Sequence, residues 1–397
     1  MGSILAGIDV DPTQGRILLE ANFGLIQQDD GGYAWSCHEV LTRSGSIATP
    51  LYARGPDGTL LSVVTELQGR SEDVSLYVSV DAGCSWADVD FGGTLATELA
   101  WVGDTALVGA DDGRIFRSED SGETWTATDL ALSHAVRAFS VQAGVVYTVE
   151  LVGFRAHVHK SEDGGLSWES VEVGVGLWRN DGLEAVRVAG VVNGELLLMI
   201  DALGGDTLVR APPREAAIAV LEVGGDLVDA HLDADGVLWV LEDGRSLHRS
   251  EDGSTFTLDE VAPVAVGLGV DDDTVWATGF ADFNLNGSLL SHAPDWEPLL
   301  PLNELVGPLS CPAETEHVAV CEPLWPELKA RIEEYERVGD TGTDSDSDRP
   351  DDTDSEVTPP PEDCGCSATG GGAWLGLLAL LSARGRRRGR REGRQSS

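Results

Sequence analysis

Lysine is all but missing. Lys160 and Lys329 are the only two in 397 residues, and with 68 acidic side chains the formal net charge is −42. A field of that sign excludes nucleic acid and anionic lipid as partners of the main body. It suits a soluble exterior protein, or one that meets cations. Helix signals are scarce, whereas glycine is plentiful at 48 residues, so the composition leans toward β structure with many turns. No C-x-x-C pair and no Cys/His metal spacing appears. His38-Glu39 lacks the second histidine of a zinc-protease helix, and there is no G-x-S-x-G elbow. The residues therefore point to no metal and no cofactor.

What is present begins with six cysteines, Cys37, Cys84, Cys311, Cys321, Cys364 and Cys366. The even count reads as two disulfides, Cys37–Cys84 and Cys311–Cys321, with the last pair separate, and hence an oxidising compartment. The N-terminus, MGSILAGIDV, has neither a basic start nor an apolar run. Together with the disulfides this predicts that an N-terminal piece precedes the sequence and that the first repeat is truncated.

The chain repeats a polar octet. SVDAGCSW spans Ser79–Trp86, SEDSGETW Ser118–Trp125 and SEDGGLSW Ser161–Trp168. A version in QQDDGGYAW ends at Trp35, and SEDGSTF at Ser250–Phe256 is a shortened copy. Counting degenerate copies, the octet falls near residues 28, 79, 118, 161, 210, 250 and 291, so spacings run from 39 to 51. A period of about 40–45 residues with four short strands is the signature of a propeller blade. Each unit reads as three strands, the octet, then a fourth strand. The expected fold is all-β: a seven-bladed β-propeller over residues 1–325.

Within the octet, the aspartates (Asp30, Asp81, Asp120, Asp163, Asp252) suit hydrogen bonds to amides of their own turn. The glycines (Gly32, Gly83, Gly122, Gly165) supply a positive φ. The serines are Ser79, Ser118, Ser161 and Ser250. The tryptophans (Trp35, Trp86, Trp125, Trp168) open the outer strand and bury a large apolar area. One active site needs one copy of its residues, so a motif copied per unit reads as a structural staple. S-x-D-x-G-x-x-W is the Asp-box, and residues 3–325 resemble Asp-box (BNR-like) propellers of the sialidase-like and photosystem-assembly-factor-like groups. The resemblance implies that the boxes lie on the face away from the ligand site.

A sialidase-like enzyme would need an arginine cluster, a Tyr/Glu pair and an F-R-I-P motif. Phe116-Arg117 is not followed by Ile-Pro, and the five tyrosines show no partner pattern. Other Asp-box glycosidases use two carboxylates, and no pair stands out among so many acids. His157 and His159 alternate along one strand and share a side; a solvated strand face is the expected reading rather than metal ligation. The long connections predicted on the face opposite the boxes carry Arg70, Glu72, Trp178, Arg179, Asp181, Phe280, Asp282 and Phe283. Aromatics beside charges on loops make these the candidate ligand-face residues.

The chain end has three further parts. Residues 326–339 predict a short helix, with Pro326 in its first turn and Leu328, Ile332 and Tyr335 as an apolar stripe. Residues 340–363 hold ten acids, one arginine and no apolar residue but Val357 and prolines, which predicts a disordered acidic linker. Its DSDSD lacks the glycine and bidentate acid that a calcium loop needs. Residues 364–397 join Cys364-Gly365-Cys366, the apolar run Ala373–Leu381 and seven arginines between Arg384 and Arg394. The run with its flanks reads as a transmembrane-like helix at the short limit for a bilayer. This ending resembles the myxobacterial C-terminal sorting signal (MYXO-CTERM). That resemblance implies export, cleavage near the cysteines by a sorting protease, lipid attachment at Cys364 or Cys366, and display at the cell surface. The expected role is a non-catalytic binding or adhesion module for a surface protein or glycan. The alternative is an extracellular glycoside hydrolase with a carboxylate pair.

Overall fold

The computed structural model describes residues 8–11, 16–21, 24–29, 32–41, 50–64, 75–153, 155–174, 183–202, 205–212, 215–223, 225–242, 246–259, 265–271, 274–279, 288–292, 296–301 and 304–340. They form an all-β propeller followed by a short C-terminal helix.

Six sheets are four-stranded, antiparallel and consecutive in sequence. Before them come β1 (Ile8–Asp11), β2 (Arg16–Ala21), β3 (Gly24–Asp29) and β4 (Gly32–Ser36). Blade I holds β5 (Leu51–Arg54), β6 (Leu60–Val64), β7 (Ser75–Ser79) and β8 (Ala87–Val89). Blade II holds β9 (Ala96–Val102), β10 (Thr105–Ala110), β11 (Arg114–Ser118) and β12 (Thr126–Ala131). Blade III holds β13 (Ser140–Gln142), β14 (Val145–Val152), β15 (Arg155–Ser161) and β16 (Glu169–Gly174). Blade IV holds β17 (Leu183–Val192), β18 (Glu195–Ala202), β19 (Thr207–Arg210) and β20 (Ile218–Glu222). Blade V holds β21 (Leu227–Leu232), β22 (Leu238–Glu242), β23 (Ser246–Ser250) and β24 (Thr257–Asp259). Blade VI holds β25 (Ala265–Asp271), β26 (Thr274–Gly279), β27 (Ser288–His292) and β28 (Glu297–Pro301). The first strands neighbour one another in chain order, and β25 returns to β1.

The expectation of seven like blades is corrected here. Six blades are regular; the sheet that closes the ring is five-stranded and mixed, in the order β1-β2-β3-β4-β29. Strand β29 (Leu305–Pro308) runs parallel to β4, with Leu305 opposite Tyr33 and Pro308 opposite Trp35. The repeat count did not foresee this, because β29 carries no octet and belongs to the chain's far end.

Burial explains the strand composition. Second strands are sandwiched between neighbouring blades and are mostly apolar: all five residues of β6 (LLSVV) are buried, Ser62 included. Outer strands face water, and β12 (TATDLA) has no buried residue. Leu60, Leu61, Leu107, Ile115, Leu197 and Ile200 are among the largest fully buried side chains, all on second or third strands. The core is therefore a set of inter-blade layers, as expected when sheets pack face to face.

The octets join third to fourth strands. In blade II, Ser118 Oγ donates to Asp120 Oδ1 at 2.7 Å and accepts from the Gly122 amide at 2.9 Å. Asp120 Oδ1 accepts from the Thr124 amide at 2.8 Å. Blades I and III repeat the pattern through Ser79–Asp81–Gly83 and Ser161–Asp163–Gly165. Trp125 and Trp168 donate from Nε1 to the carbonyls of Gly122 and Gly165 at 3.0 and 3.1 Å. Their rings pack on apolar layers that include the preceding blade: Trp125 on the layer that holds Val63 and Leu76, Trp168 on the layer that holds Leu107 and Ile115. Ser250 and Asp252 make a shortened version, with Gly253. Gly32 and Trp35 belong to β4; Asp30 lies outside the described residues.

The predicted disulfide pairing is also corrected. Both bonds are present, but they join Cys37 to Cys321 and Cys84 to Cys311. The parallel course of β29 beside β4 instead delivers Cys311 to the blade I octet. A five-residue helix, α1 (Glu316–Val320), then brings Cys321 to Cys37, just before the turn at His38–Val40. The C-terminal helix α2 spans Trp325–Asp340, one residue longer at each end than expected. It lays Trp325, Leu328 and Ile332 on the closing sheet's core, where Trp325 meets Trp35 at 5.8 Å between ring centres.

Candidate functional site

The candidate ligand-face residues Arg70, Glu72, Trp178, Arg179, Asp181, Phe280, Asp282 and Phe283 all lie outside the described residues, as do Cys364 and Cys366. The site that the described residues do build is the inner wall of the ring, made by first strands and the segments that lead into them.

Each step around much of this wall is bridged by a polar side chain that reaches the next blade's backbone. Thr97 on β9 donates to the Val136 carbonyl at 2.8 Å. Gln142 on β13 donates to the Ala189 carbonyl at 3.0 Å and accepts from the Val191 amide at 3.2 Å. Arg187 on β17 donates to the carbonyls of Val228 and Leu227 at 3.2 and 2.9 Å. Asp229 on β21 accepts from the Leu268 amide at 3.0 Å. The Tyr52 amide of blade I donates to Glu20 of the closing sheet at 2.6 Å. These bonds satisfy backbone groups at the strands' open edges.

Charge is concentrated in the same place. Burial pushes the Glu98 carboxyl up to about 8, against the pull of Arg187 and Arg137 and with help from Glu20. Arg187 and Glu20 lie on other sheets, and Arg137 on the segment that leads into blade III. Glu98 is thus held neutral at ordinary pH. His231 Nε2 stands 3.2 Å from Asp229 Oδ1. Burial lowers the His231 imidazole, but the charge and hydrogen bond of Asp229 outweigh it and leave it raised. For Asp229, burial is outweighed by His231, the Leu268 amide and Arg187, and its carboxyl is held low. Arg187 also lies 3.5 Å from Asp201. The wall therefore presents one neutral carboxyl, one ionised carboxylate paired to an imidazole, and a guanidinium already committed to backbone.

Sequence reasoning did not single out Glu98, Arg187 or Asp229. The signal was there: each is a charge inside a largely apolar first strand (ATELAWV, LEAVRVAGVV, LVDAHL). The histidine pair is corrected in part. His159 is buried rather than solvated, with Nδ1 2.7 Å from Ser170 Oγ and Nε2 3.9 Å from Glu150. Among the described residues no group of three His, Cys, Asp or Glu side chains is placed to hold a metal ion. Nor is any helix among them long and apolar enough to cross a membrane.

No family model matches the chain, and no curated relative matches it. Among solved structures, the chain is similar to YCF48 from Cyanidioschyzon merolae at 15% identity, covering 69% of this chain and 92% of that one, with a TM-score of 0.49. It is also similar to YCF48 bound to D1 peptide, at 17% identity over 66% of this chain and 86% of that one, TM-score 0.45. A GH74 xyloglucanase from Xanthomonas campestris shares 18% identity over 70% of this chain and 52% of that one, TM-score 0.44. The propeller assignment stands on the strand order itself, and at these identities the likenesses say nothing of a ligand.

Proposed function

We propose that the chain is a non-catalytic binding or adhesion module that takes a protein or glycan at the inner wall of its propeller. The observation that carries this reading is the commitment of the wall's polar groups. Arg187, Gln142 and Asp229 spend their hydrogen bonds on the next blade's backbone. Groups so tied hold a surface in shape and are poor candidates for proton transfer or nucleophilic attack. Glu98, kept neutral, offers a donor and an acceptor to a docked ligand without the cost of burying a charge.

Display at the cell surface is part of the proposal. Two disulfides support passage through an oxidising compartment. The tail at residues 364–397 would supply cleavage by a sorting protease near Cys364 and Cys366 and attachment to the membrane. Intact mass and fractionation of native protein test this: a shortened, membrane-associated chain supports it, and a soluble cytosolic chain that keeps its arginines refutes it.

A second reading has one observation in its favour. Glu98 is held neutral while Asp229 is held ionised, and such a split is what an acid and a charged carboxylate partner need in glycoside hydrolysis. Glycan and peptide arrays run beside a glycoside turnover screen separate the two. Capture without turnover supports the module; turnover lost in Glu98→Gln supports the hydrolase.

A further inference from the structure

Strand β13 is only three residues long, whereas its partner β14 has eight. In the other regular blades the first strand is within two residues of its partner's length. The β13–β14 ladder runs from Ser140 opposite Tyr147 to Gln142 opposite Val145 and stops there. Among the described residues, the inner edge of β14 from Thr148 to Val152 has no ladder partner. The segment that leads into β13 is held to blade II instead. There the Leu132 and Val136 amides donate to the carbonyls of Gly113 and Ala110 at 2.8 and 3.1 Å. On its other side β14 stays paired with β15 as far as Val152 opposite Arg155, and Val146 lies opposite the octet's Ser161. The bare stretch is therefore the end of the blade away from the octet. An unpaired strand edge is a template for another strand.

The edge is reachable: Val149, Glu150 and Leu151 are half-buried, and Val152 is 47% exposed. Its side chains alternate between two surroundings. Tyr147, Val149 and Leu151 pack on the apolar layer shared with blade IV. Val146 packs in the layer shared with blade II, so Thr148 and Glu150 point that way too. On the blade IV side, a cavity of about 190 Å³ lies against the start of the bare edge, with Val149, Val186, Val188 and Phe139 in its lining. On the blade II side, Glu150 accepts from the amide and hydroxyl of Ser133. Burial raises its carboxyl, but those bonds and the nearby His159 and His157 outweigh burial and hold it low, so it stays ionised.

We propose that the bare edge of β14 takes an extended basic peptide as an added strand, with apolar side chains beside Val149 and Leu151 and a lysine or arginine beside Glu150. The inference rests on the binding-module reading and names its partner as a peptide. Backbone pairing requires alternating N–H and C=O groups, which a glycan does not carry. The period of two in the edge's surroundings sets the period of the peptide: apolar toward the cavity and blade IV, cationic toward Glu150. Charge decides the sign. The chain stands at −42, a field that draws in a cationic segment and turns away a second copy of itself or its own acidic residues 340–363.

The test is hydrogen–deuterium exchange and calorimetric titration of the purified full chain with a capped peptide of alternating valine and lysine. Saturating peptide should slow exchange within Thr148–Val152 by about tenfold or more, with little change in the other blades. Two further peptides carry backbone N-methyl groups, one at its valines and one at its lysines. Both keep the charge, but each loses the donors of one edge, so one should bind about tenfold more weakly than the other. The valine–glutamate peptide should not bind. Glu150→Gln, which keeps an acceptor for Ser133, should weaken the lysine peptide about threefold. Equal binding of the two methylated peptides, equal affinity for the glutamate peptide, or binding without protection at Thr148–Val152 overturns the inference. So does protection already present in the free chain, or protection that rises with protein concentration alone, the mark of a second copy. If the arrays capture a protein or glycan while the lysine peptide does not bind, the inference falls and the module reading stands. If nothing is captured at all, both fall.

Discussion

Gly122 of blade II presses on Leu61 of blade I. A Cβ added to Gly122 would stand 2.9 Å from Leu61 Cδ2, and the glycine's φ is +89°. Gly165 stands in the same relation to Leu107, at 2.9 Å with φ +86°. The octet glycine is therefore needed twice, for the turn and for the approach of two blades. Gly122→Ala should cost roughly 2–4 kcal/mol, from left-handed strain plus overpacking. Gly144→Ala, with φ +78° and nothing within 4 Å, should cost only the strain, about 1 kcal/mol. Equal losses on chemical denaturation would remove the packing half of the argument.

In blade I the residue before the octet glycine Gly83 is left-handed too. Ala82 has φ +58°. Ala82→Gly should stabilise by roughly 0.5–1 kcal/mol, the relief of strain less the added flexibility of the unfolded chain. The shift in denaturation midpoint at constant slope measures it.

Each disulfide ties residues far apart, 284 positions for Cys37–Cys321 and 227 for Cys84–Cys311. Loops of that length place the stabilisation of either bond at about 5 kcal/mol in the chain-entropy picture. Cys37→Ser/Cys321→Ser and Cys84→Ser/Cys311→Ser should each lower the melting temperature markedly. The quadruple variant should lose less than the sum, because both bonds restrict the same closure. A strictly additive loss would show the two to be independent.

Acid should loosen the same region. Burial lowers His38 to about 4, and burial likewise lowers His317; they lie next to Cys37 and near Cys321 respectively. A histidine lowered in the folded state contributes stability in full above its ordinary value near 6.5, and loses it as pH falls below that. For His38 the loss should reach about 3 kcal/mol by pH 4. His159 runs the same way and His231 the opposite way. Melting curves between pH 7.5 and 4 should fall steeply in the native chain and less in His38→Gln.

Glu98 gives the converse slope. With its carboxyl raised to about 8, the folded state holds a proton that the unfolded state gives up above about 4.5. Its stability is complete in acid and drains as pH rises toward 8. Glu98→Gln should therefore gain roughly 4 kcal/mol at pH 7.5 and little at pH 4. A gain that did not vary with pH would point to packing instead.

Local rules made much of the fold legible. The serine, aspartate and glycine of each octet bond within eight residues, so spacing alone carried the hairpins and the blade period. Strand burial followed from largely apolar stretches such as LLSVV. The closure was not legible, because β29 pairs in parallel with a strand hundreds of residues away and bears no motif. The disulfide partners depend on that closure and went wrong with it. The inner wall was hidden for another reason. Glu98, Arg187 and Asp229 meet only when three blades converge, and one charge in an apolar strand has no local partner to announce it.

The late pairing of Leu305–Pro308 with Gly32–Ser36 has a bearing on how the chain is made. A nascent polypeptide can stack its six regular blades as they leave the ribosome, and β25 can then pack on β1. Only when the segment beyond residue 304 emerges does the first sheet gain its outer neighbour, which clasps that contact from the chain's far end. Any truncation ahead of that strand should leave the two ends of the ring held by packing alone.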